Sequence, residues 1–155
     1  MEIERKFILK EVPDNLDKYP CLIIEQGYLC RGPVIRIRRQ NDEYILTYKG
    51  KGHMVREEYN LPLNKEAYEH LLPKIDGKLI KKKRYVIPLK ELASSYADSS
   101  LTVELDIFEG HMFGTVLAEI EFESKEEAEN FIMPDCFTED VTTNVAYHNS
   151  TMSQL

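Results

Sequence analysis

Charged residues in this sequence alternate with apolar ones at a period of two, and their signs are sorted. Arg36 and Arg38 flank one isoleucine, whereas Glu119 and Glu121 flank another. Positions two apart share a face of a β-strand, so each pair places like charges side by side, which costs stability. Guanidinium groups suit phosphate oxygens, and carboxylates suit hard divalent cations. The pattern therefore indicates a site for a metal-bound oligophosphate, which would neutralise both kinds of charge.

The same sorting of charge extends over most of the chain. The cations predicted on polar strand faces are Lys6, Arg36, Arg38, Lys49, Arg56, Lys82 and Arg84. The corresponding acids are Glu2, Glu4, Glu58, Glu104, Asp106, Glu119 and Glu121. An antiparallel sheet with one solvated face also alternates charged and apolar residues, and that explanation suffices for any single strand. It does not explain why the signs are segregated across the whole set.

Strands must position these side chains. Period-two alternation predicts strands over residues 2–7, 34–39, 43–49, 56–63, 78–88, 101–108 and 115–123. In all we expect about eight strands in a mostly antiparallel sheet, with Asn41-Asp42 as a hairpin turn. Closing that sheet into a barrel would place the charged faces around one lumen and the apolar faces outside, where helices would cover them.

Capping residues predict where those helices begin. Asn64 is a predicted N-cap for a helix from Lys65 to Leu72. Ser124 followed by Glu127 forms a capping box that opens a second helix ending near Pro134. Thr142 or Thr143 is expected to cap a last short helix.

Composition limits the class of protein. The chain has 155 residues, of which 43% are hydrophobic and 30% are charged, values typical of one folded domain over residues 1–155. The formal net charge of −7 disfavours a nucleic-acid partner, because phosphodiesters would be repelled overall. No apolar run approaches the roughly 20 residues of a membrane helix, and the N-terminus has no apolar signal core. We therefore expect a cytoplasmic protein without a membrane partner.

The ordered charges resemble a known family. The N-terminal run Glu2-Ile3-Glu4-Arg5-Lys6 is similar to the ExExK signature of the CYTH, or triphosphate tunnel metalloenzyme, superfamily. The series continues in chain order with Arg36-Ile37-Arg38, Lys49, Arg56-Glu57-Glu58, Lys82-Lys83-Arg84, Glu104-Leu105-Asp106 and Glu119-Ile120-Glu121. It covers almost the whole chain, and its short spacing most resembles the compact bacterial members.

The resemblance implies a fold, an activity and residue roles. The implied fold is α+β and mainly β, an eight-stranded antiparallel β-barrel, or tunnel, with a charged lumen and a few flanking helices. The implied activity is Mg²⁺- or Mn²⁺-dependent hydrolysis of a small-molecule triphosphate, and we expect inorganic tripolyphosphate. The implied metal ligands are Glu2, Glu4, Asp106, Glu119 and Glu121. The implied substrate-binding residues are Lys6, Arg36, Arg38, Lys49, Arg56 and Arg84. Glu58, Glu104 and Lys82 are assigned to catalysis, as groups that orient water or cations or add positive charge.

Two other functions remain open from the sequence. A class IV-type adenylyl cyclase would use the same tunnel but needs a nucleoside pocket, for which the sequence has no signal. A non-catalytic polyphosphate- or nucleotide-binding module is favoured by Ala146, which stands where the family usually has a basic residue, since no Lys or Arg follows Lys125. His148 is the one cation candidate there, and Asn60 replaces an acid that members often carry. A homodimer is also left open.

Overall fold

The computed structural model describes all 155 residues, and ten β-strands and three α-helices make up its regular structure. The strands are β1 (Glu2–Leu9), β2 (Cys21–Arg31), β3 (Val34–Gln40), β4 (Glu43–Lys49), β5 (Val55–Arg56), β6 (Glu58–Leu63), β7 (Asp76–Pro88), β8 (Thr102–Glu109), β9 (Val116–Glu121) and β10 (Phe137–Asp140). The helices are α1 (Lys65–Leu71), α2 (Lys125–Asn130) and α3 (Asn149–Met152). Short 3-10 turns occupy Leu16–Lys18, Leu72–Lys74, Leu89–Glu91, Ser94–Tyr96, Gly110–Met112 and Val145–Tyr147. No helix has the length and apolar character needed to span a bilayer.

The strands form one antiparallel sheet that closes on itself. Their order is β10-β1-β9-β8-β7-β2-β3-β4-β6. Only Glu57 separates β5 from β6, and β5 pairs back onto β1, with Glu2 opposite Arg56. The pair β5 and β6 thus acts as one interrupted barrel strand, and β10 lies against β1 outside the ring. The predicted mainly β antiparallel barrel is confirmed.

Local hydrogen bonds explain why the predicted helices and turn form. Asn64 Oδ1 accepts a hydrogen bond from the Ala67 backbone N–H at 2.7 Å at the start of α1. Ser124 Oγ accepts one from the Glu127 N–H at 3.0 Å at the start of α2. Asn41 adopts the left-handed φ of 52° in the turn between β3 and β4, a conformation that asparagine tolerates well.

Some local predictions from the sequence were incomplete or wrong. Strand β10 was not predicted, and α2 ends at Asn130 rather than near Pro134. Strand β2 was not predicted, because its lumen-facing Gln26 and Tyr28 are uncharged and the outward-facing Ile23 is 60% exposed, which inverts the usual pattern. Thr142 does not cap a helix. Its Oγ1 accepts a hydrogen bond from the Lys6 N–H at 3.0 Å, so it ties the chain to β1, and α3 begins only at Asn149.

Most of the apolar core lies outside the barrel wall. Phe7, Leu105 and Ile120 point outward and pack with Ala128 of α2 and Phe131. Alternate residues of a strand face opposite sides, so the charged residues between these positions face the lumen. This polarity is the reverse of a small barrel whose interior is filled by apolar side chains.

One end of the lumen has an apolar floor. The floor is a buried cluster of Ile80, Phe108, Leu117, Val141 and Met152. Ile80 lies two residues before Lys82, and Leu117 lies two residues before Glu119, so these apolar and charged side chains share the lumen face. Helix α3 contributes Met152. The lumen is therefore a polar cavity that is closed at one end by the C-terminal part of the chain.

Candidate active site in the barrel lumen

The lumen contains a cavity of about 330 Å³. Only 3 of its 24 lining residues are hydrophobic, namely Tyr28, Val34 and Ile45. Sites for organic ligands are lined mainly by hydrophobic and aromatic side chains. This cavity therefore suits a small and highly charged ligand.

The structure brings nearly all of the predicted site residues together. The cavity is lined by Glu2, Glu4, Lys6, Arg36, Arg38, Lys49, Arg56, Glu58, Lys82, Arg84, Glu104, Glu119 and Glu121. Strand register explains the convergence, since Lys6 pairs with Glu119 across β1 and β9, and Arg84 pairs with Asp106 across β7 and β8. Asp106 alone of the predicted set does not line the cavity, because it is fully buried behind Arg84 and Lys82.

Asp106 holds two cations in place. Arg84 Nε lies 2.7 Å from Asp106 Oδ1, and Arg84 Nη2 lies 2.9 Å from Oδ2. Lys82 Nζ lies 2.7 Å from the same Oδ2. Burial alone would raise the pKa of Asp106, but Arg84 and Lys82 hold it below its ordinary value. Both carboxylate oxygens are thus engaged with protein cations in a charge-assisted geometry.

Arg84 also contacts two further carboxylates. Its Nη1 lies 3.0 Å from Glu104 Oε2, and its Nη2 lies 3.2 Å from Glu119 Oε2. Glu119 in turn lies 3.5 Å from Lys6 Nζ. Although burial raises the pKa of Glu119, Lys6 and Arg84 hold it well below its ordinary value. Glu119 is therefore an ionised carboxylate in the folded protein.

Two acidic residues of the lumen form no ion pair. Glu4 and Glu121, here called the acidic pair, stand directly opposite each other on β1 and β9, and neither side chain forms an ion pair or hydrogen bond. Like charges in direct register are destabilising. Burial, followed by the nearby Glu119, raises the pKa of Glu4 to about 7. Burial, followed by Glu58 and Glu4, raises the pKa of Glu2 to about 8.

This donor set fits a divalent cation that is shared with a ligand. No three Asp, Glu, His or Cys side chains converge into a closed metal cage. Mg²⁺ is often held by one or two carboxylates and by substrate phosphates, while waters complete its coordination. The acidic pair offers oxygen ligands of that kind at the edge of the cavity, and a bound cation would remove the repulsion between them.

Arg36 and Arg38 of β3, here called the arginine pair, form a positively charged surface without a carboxylate partner. Arg36 Nη2 donates to Thr47 Oγ1 at 3.1 Å, whereas its buried Nε has no partner at all. Arg38 Nε donates to Gln26 Oε1 at 2.8 Å. Burial, followed by Arg36 and Arg84, lowers the pKa of Arg38 to about 9. Buried cations without a counter-charge are costly, so the arginine pair is arranged to receive an anion.

The remaining predicted residues lie between these two groups. Lys49 Nζ is 2.9 Å from Glu2 Oε1 and 3.8 Å from Glu58 Oε2. Asn60 Nδ2 donates to Glu58 Oε1 at 2.9 Å, so the amide contacts the neighbouring acid of the same strand face. Arg56 donates to the Gly50 carbonyl at 3.1 Å.

Sequence reasoning missed several uncharged residues of the lumen. The missed lining residues include Gln26, Tyr28, Gln40, His53, Thr142 and Ser150. Gln26 and Tyr28 occupy alternate positions of β2, so a period-two search for uncharged polar residues would have found them. Period-two alternation does not place Thr142 and Asn149 there, because the fold rather than a strand pattern brings residues 141–155 to the lumen.

The fold and the cavity together define an antiparallel β-tunnel with a charged lumen. Comparison with protein families identifies it further, because a model described as the CYTH domain matches residues 1–139. The chain therefore belongs to the CYTH domain family.

Relatives with a described activity or a solved structure cover most of the chain. An inorganic triphosphatase from Nitrosomonas europaea is 34% identical over 155 residues, which are 98% of this chain and 96% of that protein. A crystal structure of an inorganic triphosphatase matches with a TM-score of 0.70 at 32% identity, over 100% of this chain and 95% of the other. A Hippeastrum adenylyl cyclase candidate with a dominant triphosphatase activity matches with a TM-score of 0.60 at 16% identity, over 83% of each chain. That last likeness concerns the fold alone.

Proposed function

We propose that this protein is a divalent-metal-dependent triphosphatase that hydrolyses inorganic tripolyphosphate inside the lumen. The observation that carries the proposal is the separation of uncompensated charge. Strand β3 with the arginine pair lies across the ring from β9, and β9 and β1 carry the acidic pair. A metal-bound oligophosphate neutralises both groups at once. The 34% identity to an inorganic triphosphatase over nearly the whole chain supports this activity.

The size and polarity of the cavity support an inorganic substrate. Tyr28, Val34 and Ile45 are the only hydrophobic residues of the lining, so a nucleoside would find little apolar surface to replace its contacts with water. A tripolyphosphate consists of charged oxygens that the arginine pair and the lysines can bind. The same observation disfavours the adenylyl cyclase alternative.

We assign the residue roles as follows. Tripolyphosphate oxygens are bound by Lys6, Arg36, Arg38, Lys49, Arg56 and Arg84. The divalent cation, Mg²⁺ or Mn²⁺, would be held by Glu2, Glu4, Glu119 and Glu121. When bound, it polarises a phosphoryl oxygen and lowers the pKa of a bound water. We assign Asp106, an expected metal ligand, instead to the orientation of Arg84 and Lys82, because it does not line the cavity and both of its oxygens contact those cations.

The chain's own groups stabilise the charge that hydrolysis creates. Water adds to the terminal phosphorus and gives up one proton to the solvent, the phosphoanhydride bond breaks, and the bond's electron pair leaves on pyrophosphate while orthophosphate is released. Fixed cations aimed at the leaving oxygens lower this barrier, and the arginine pair is positioned for that. Lys82 adds charge beside Arg84. Its pKa is lowered to about 7, chiefly by burial and then by Arg84 and Arg38. Glu104 orients Arg84, and Glu58 orients Lys49.

We also propose that residues 1–155 form one domain of this family. Residues 141–155 lie wholly beyond the match at 1–139, yet Val141 and Met152 complete the apolar floor of the barrel. The cytoplasmic location and the homodimer stay predictions.

Product analysis tests the proposed function. The purified protein is incubated with tripolyphosphate, thiamine triphosphate, ATP, GTP and pyrophosphate, each with Mg²⁺, with Mn²⁺ and with excess EDTA. We expect orthophosphate from tripolyphosphate in equal amount to pyrophosphate, and none with EDTA. Cyclic AMP and pyrophosphate from ATP would establish the cyclase instead. Calorimetric binding of tripolyphosphate without turnover would establish a non-catalytic binding module.

A further inference from the structure

The C-terminal segment, residues 141–155, does more than close the barrel. Beside the apolar contacts of Val141 and Met152, its backbone docks on two strands. The Lys78 N–H donates to the Ser153 carbonyl at 2.6 Å, and Lys6 Nζ donates to the Tyr147 carbonyl at 3.2 Å. These contacts fix α3 against the inner face of the barrel, next to the proposed phosphate site.

Asn149 is the residue of this segment that enters the polar network. It is 9% exposed and lines the cavity. Its Oδ1 accepts two hydrogen bonds, from Lys82 Nζ at 3.0 Å and from Gln26 Nε2 at 3.0 Å. Lys82 and Gln26 are themselves 1% and 0% exposed, so neither can readily replace this acceptor with water.

The chemistry of the donors fixes the direction of every bond in this chain of contacts. An arginine Nε can only donate, so Arg38 Nε at 2.8 Å requires the oxygen of the Gln26 amide. The nitrogen of that amide must then point to Asn149 Oδ1 and to the Tyr28 hydroxyl, 3.1 Å away. Because the Gln26 nitrogen donates to it, this atom of Asn149 is the amide oxygen, and Lys82 Nζ donates to the same oxygen. One amide oxygen thus orients Lys82 directly and Arg38 through Gln26.

We infer that Asn149 is a positioning residue for the phosphate site, which holds Lys82 and, through Gln26, Arg38 in the orientations that tripolyphosphate binding needs. This inference rests on the proposed function. Without the Asn149 oxygen, Asp106 is the only remaining acceptor of Lys82, and Gln26 keeps only the Tyr28 hydroxyl as an acceptor for its amide nitrogen. Both cations then lose a fixed orientation although no charge is removed from the lumen.

A double-mutant cycle tests this coupling. Asn149→Ala is expected to lower kcat/KM for tripolyphosphate by about 10- to 100-fold, the range for loss of a hydrogen bond to a charged or buried group. In a Lys82→Met background the same change should have a smaller effect, because the part transmitted through Lys82 is already lost and only the part transmitted through Gln26 to Arg38 remains. Arg36→Ala is the control background, because Arg36 lies in the lumen but contacts Thr47 rather than Asn149. There the effect of Asn149→Ala on kcat/KM should simply add to that of Arg36→Ala. If Lys82→Met has no measurable turnover, the calorimetric Kd for tripolyphosphate with Mg²⁺ replaces kcat/KM.

Two further variants separate positioning from simple stabilisation of the segment. Met152→Ala loosens the same helix at the apolar floor but leaves Lys82 and Gln26 their acceptor, so it should lower Tm while kcat/KM of the folded fraction stays near wild type. Asn149→Asp keeps the acceptor oxygen and adds a charge that repels polyphosphate, so kcat should recover while KM rises. Two results would overturn the inference: full additivity of Asn149→Ala with Lys82→Met, or equal losses of kcat/KM in Asn149→Ala and Met152→Ala. If the wild type still hydrolyses tripolyphosphate in that case, the proposed function stands. An inactive wild type would overturn both.

Discussion

Two adjacent arginines of β3 have opposite environments. Arg38 lies in the lumen, 8% exposed, with its Nε on Gln26. Arg39 points to the outer surface, where its guanidinium lies 5.9 Å from the centre of the Tyr44 ring. The two environments differ because successive side chains of a strand point to opposite faces of the sheet. Period-two reasoning therefore sufficed to separate the two residues in the sequence.

The first prediction uses these neighbours as a matched pair. Arg38→Ala should lower kcat/KM for tripolyphosphate by about 10- to 100-fold, because it removes a charged side chain proposed to donate to phosphate. Arg39→Ala removes the same side chain from the outer face and should leave kcat/KM within about twofold of wild type, as expected for an exposed charge. Phosphate-release kinetics on both variants measure this. Equal effects of the two substitutions would contradict the assignment of the arginine pair.

The second prediction concerns two glutamates whose replacement by Gln should change the stability of the protein in opposite directions. The pKa of Glu4 is raised to about 7, so the stability that its proton provides is lost as the pH rises from about 4.5 through about 7. Glu4→Gln needs no proton, and without metal it should be more stable than wild type at about pH 8 by up to about 3 kcal/mol. That advantage should vanish below about pH 4.5.

Glu119→Gln is the counterpart. The pKa of Glu119 is held well below its ordinary value by Lys6 and Arg84, against burial, so its stabilisation is present above the unfolded pKa and is lost as the pH falls. Its amidation should destabilise the protein by about 1–3 kcal/mol at neutral pH. Urea unfolding in EDTA at several pH values measures both variants, and a stability change of the same sign in both at about pH 8 would refute this electrostatic account. Both should lose metal-dependent turnover.

At the level of elements, the outer face of β1 anchors the segments that cover the core. Arg5 points away from the lumen, although it lies between the signature residues Glu4 and Lys6. Its Nη1 donates to the Ala128 and Phe131 carbonyls at 2.9 and 2.7 Å, and its Nη2 lies 2.6 Å from Asp140 Oδ2 on β10. One side chain thus satisfies carbonyls at the end of α2 and ties β10 to the ring.

The third prediction follows from that anchor. Arg5→Ala should lower Tm by about 5–10 °C, because it removes the charged donor of the Ala128 and Phe131 carbonyls and of Asp140 Oδ2. The lumen is untouched, so kcat/KM for tripolyphosphate at a temperature where the variant is folded should match wild type. Thermal unfolding and phosphate release on the same sample decide the matter, and a loss of kcat/KM with an unchanged Tm would place Arg5 in the site instead.

The elements also show where sequence reasoning succeeded and where it failed. Strands with charged inner faces were predicted because alternate residues of a strand face the lumen, so their charged side chains recur at every second position of the sequence. Strand β2 was not predicted because its inner face carries the uncharged residues Gln26 and Tyr28. The C-terminal contacts escaped because Asn149 and Lys82 lie 67 positions apart, and no local pattern encodes a contact between them. The ion-pair partners could not be predicted either, because only the structure shows that Arg84 and Lys82 engage Asp106 whereas Glu4 forms no ion pair.

At the scale of the whole molecule, the barrel encloses a lumen lined by charged side chains. The set predicted for the lumen contains as many cations as acids, so the net charge of −7 arises outside that set. Part of the set is already neutralised by internal ion pairs, and the arginine pair and the acidic pair remain. Tripolyphosphate alone would satisfy the first and repel the second, and a divalent cation alone would do the opposite. The two ligands should therefore stabilise the fold cooperatively.

The most direct test of this account is a thermal-shift matrix on wild type and Arg38→Ala, with tripolyphosphate, with Mg²⁺, with both and with neither. For wild type at about 100 times the Kd, both ligands together should raise Tm by about 5–10 °C, more than the sum of the separate shifts. Arg38→Ala should lose most of that combined shift. An equal combined shift in the two proteins, or separate shifts that simply add, would contradict a lumen built to hold a metal-bound triphosphate.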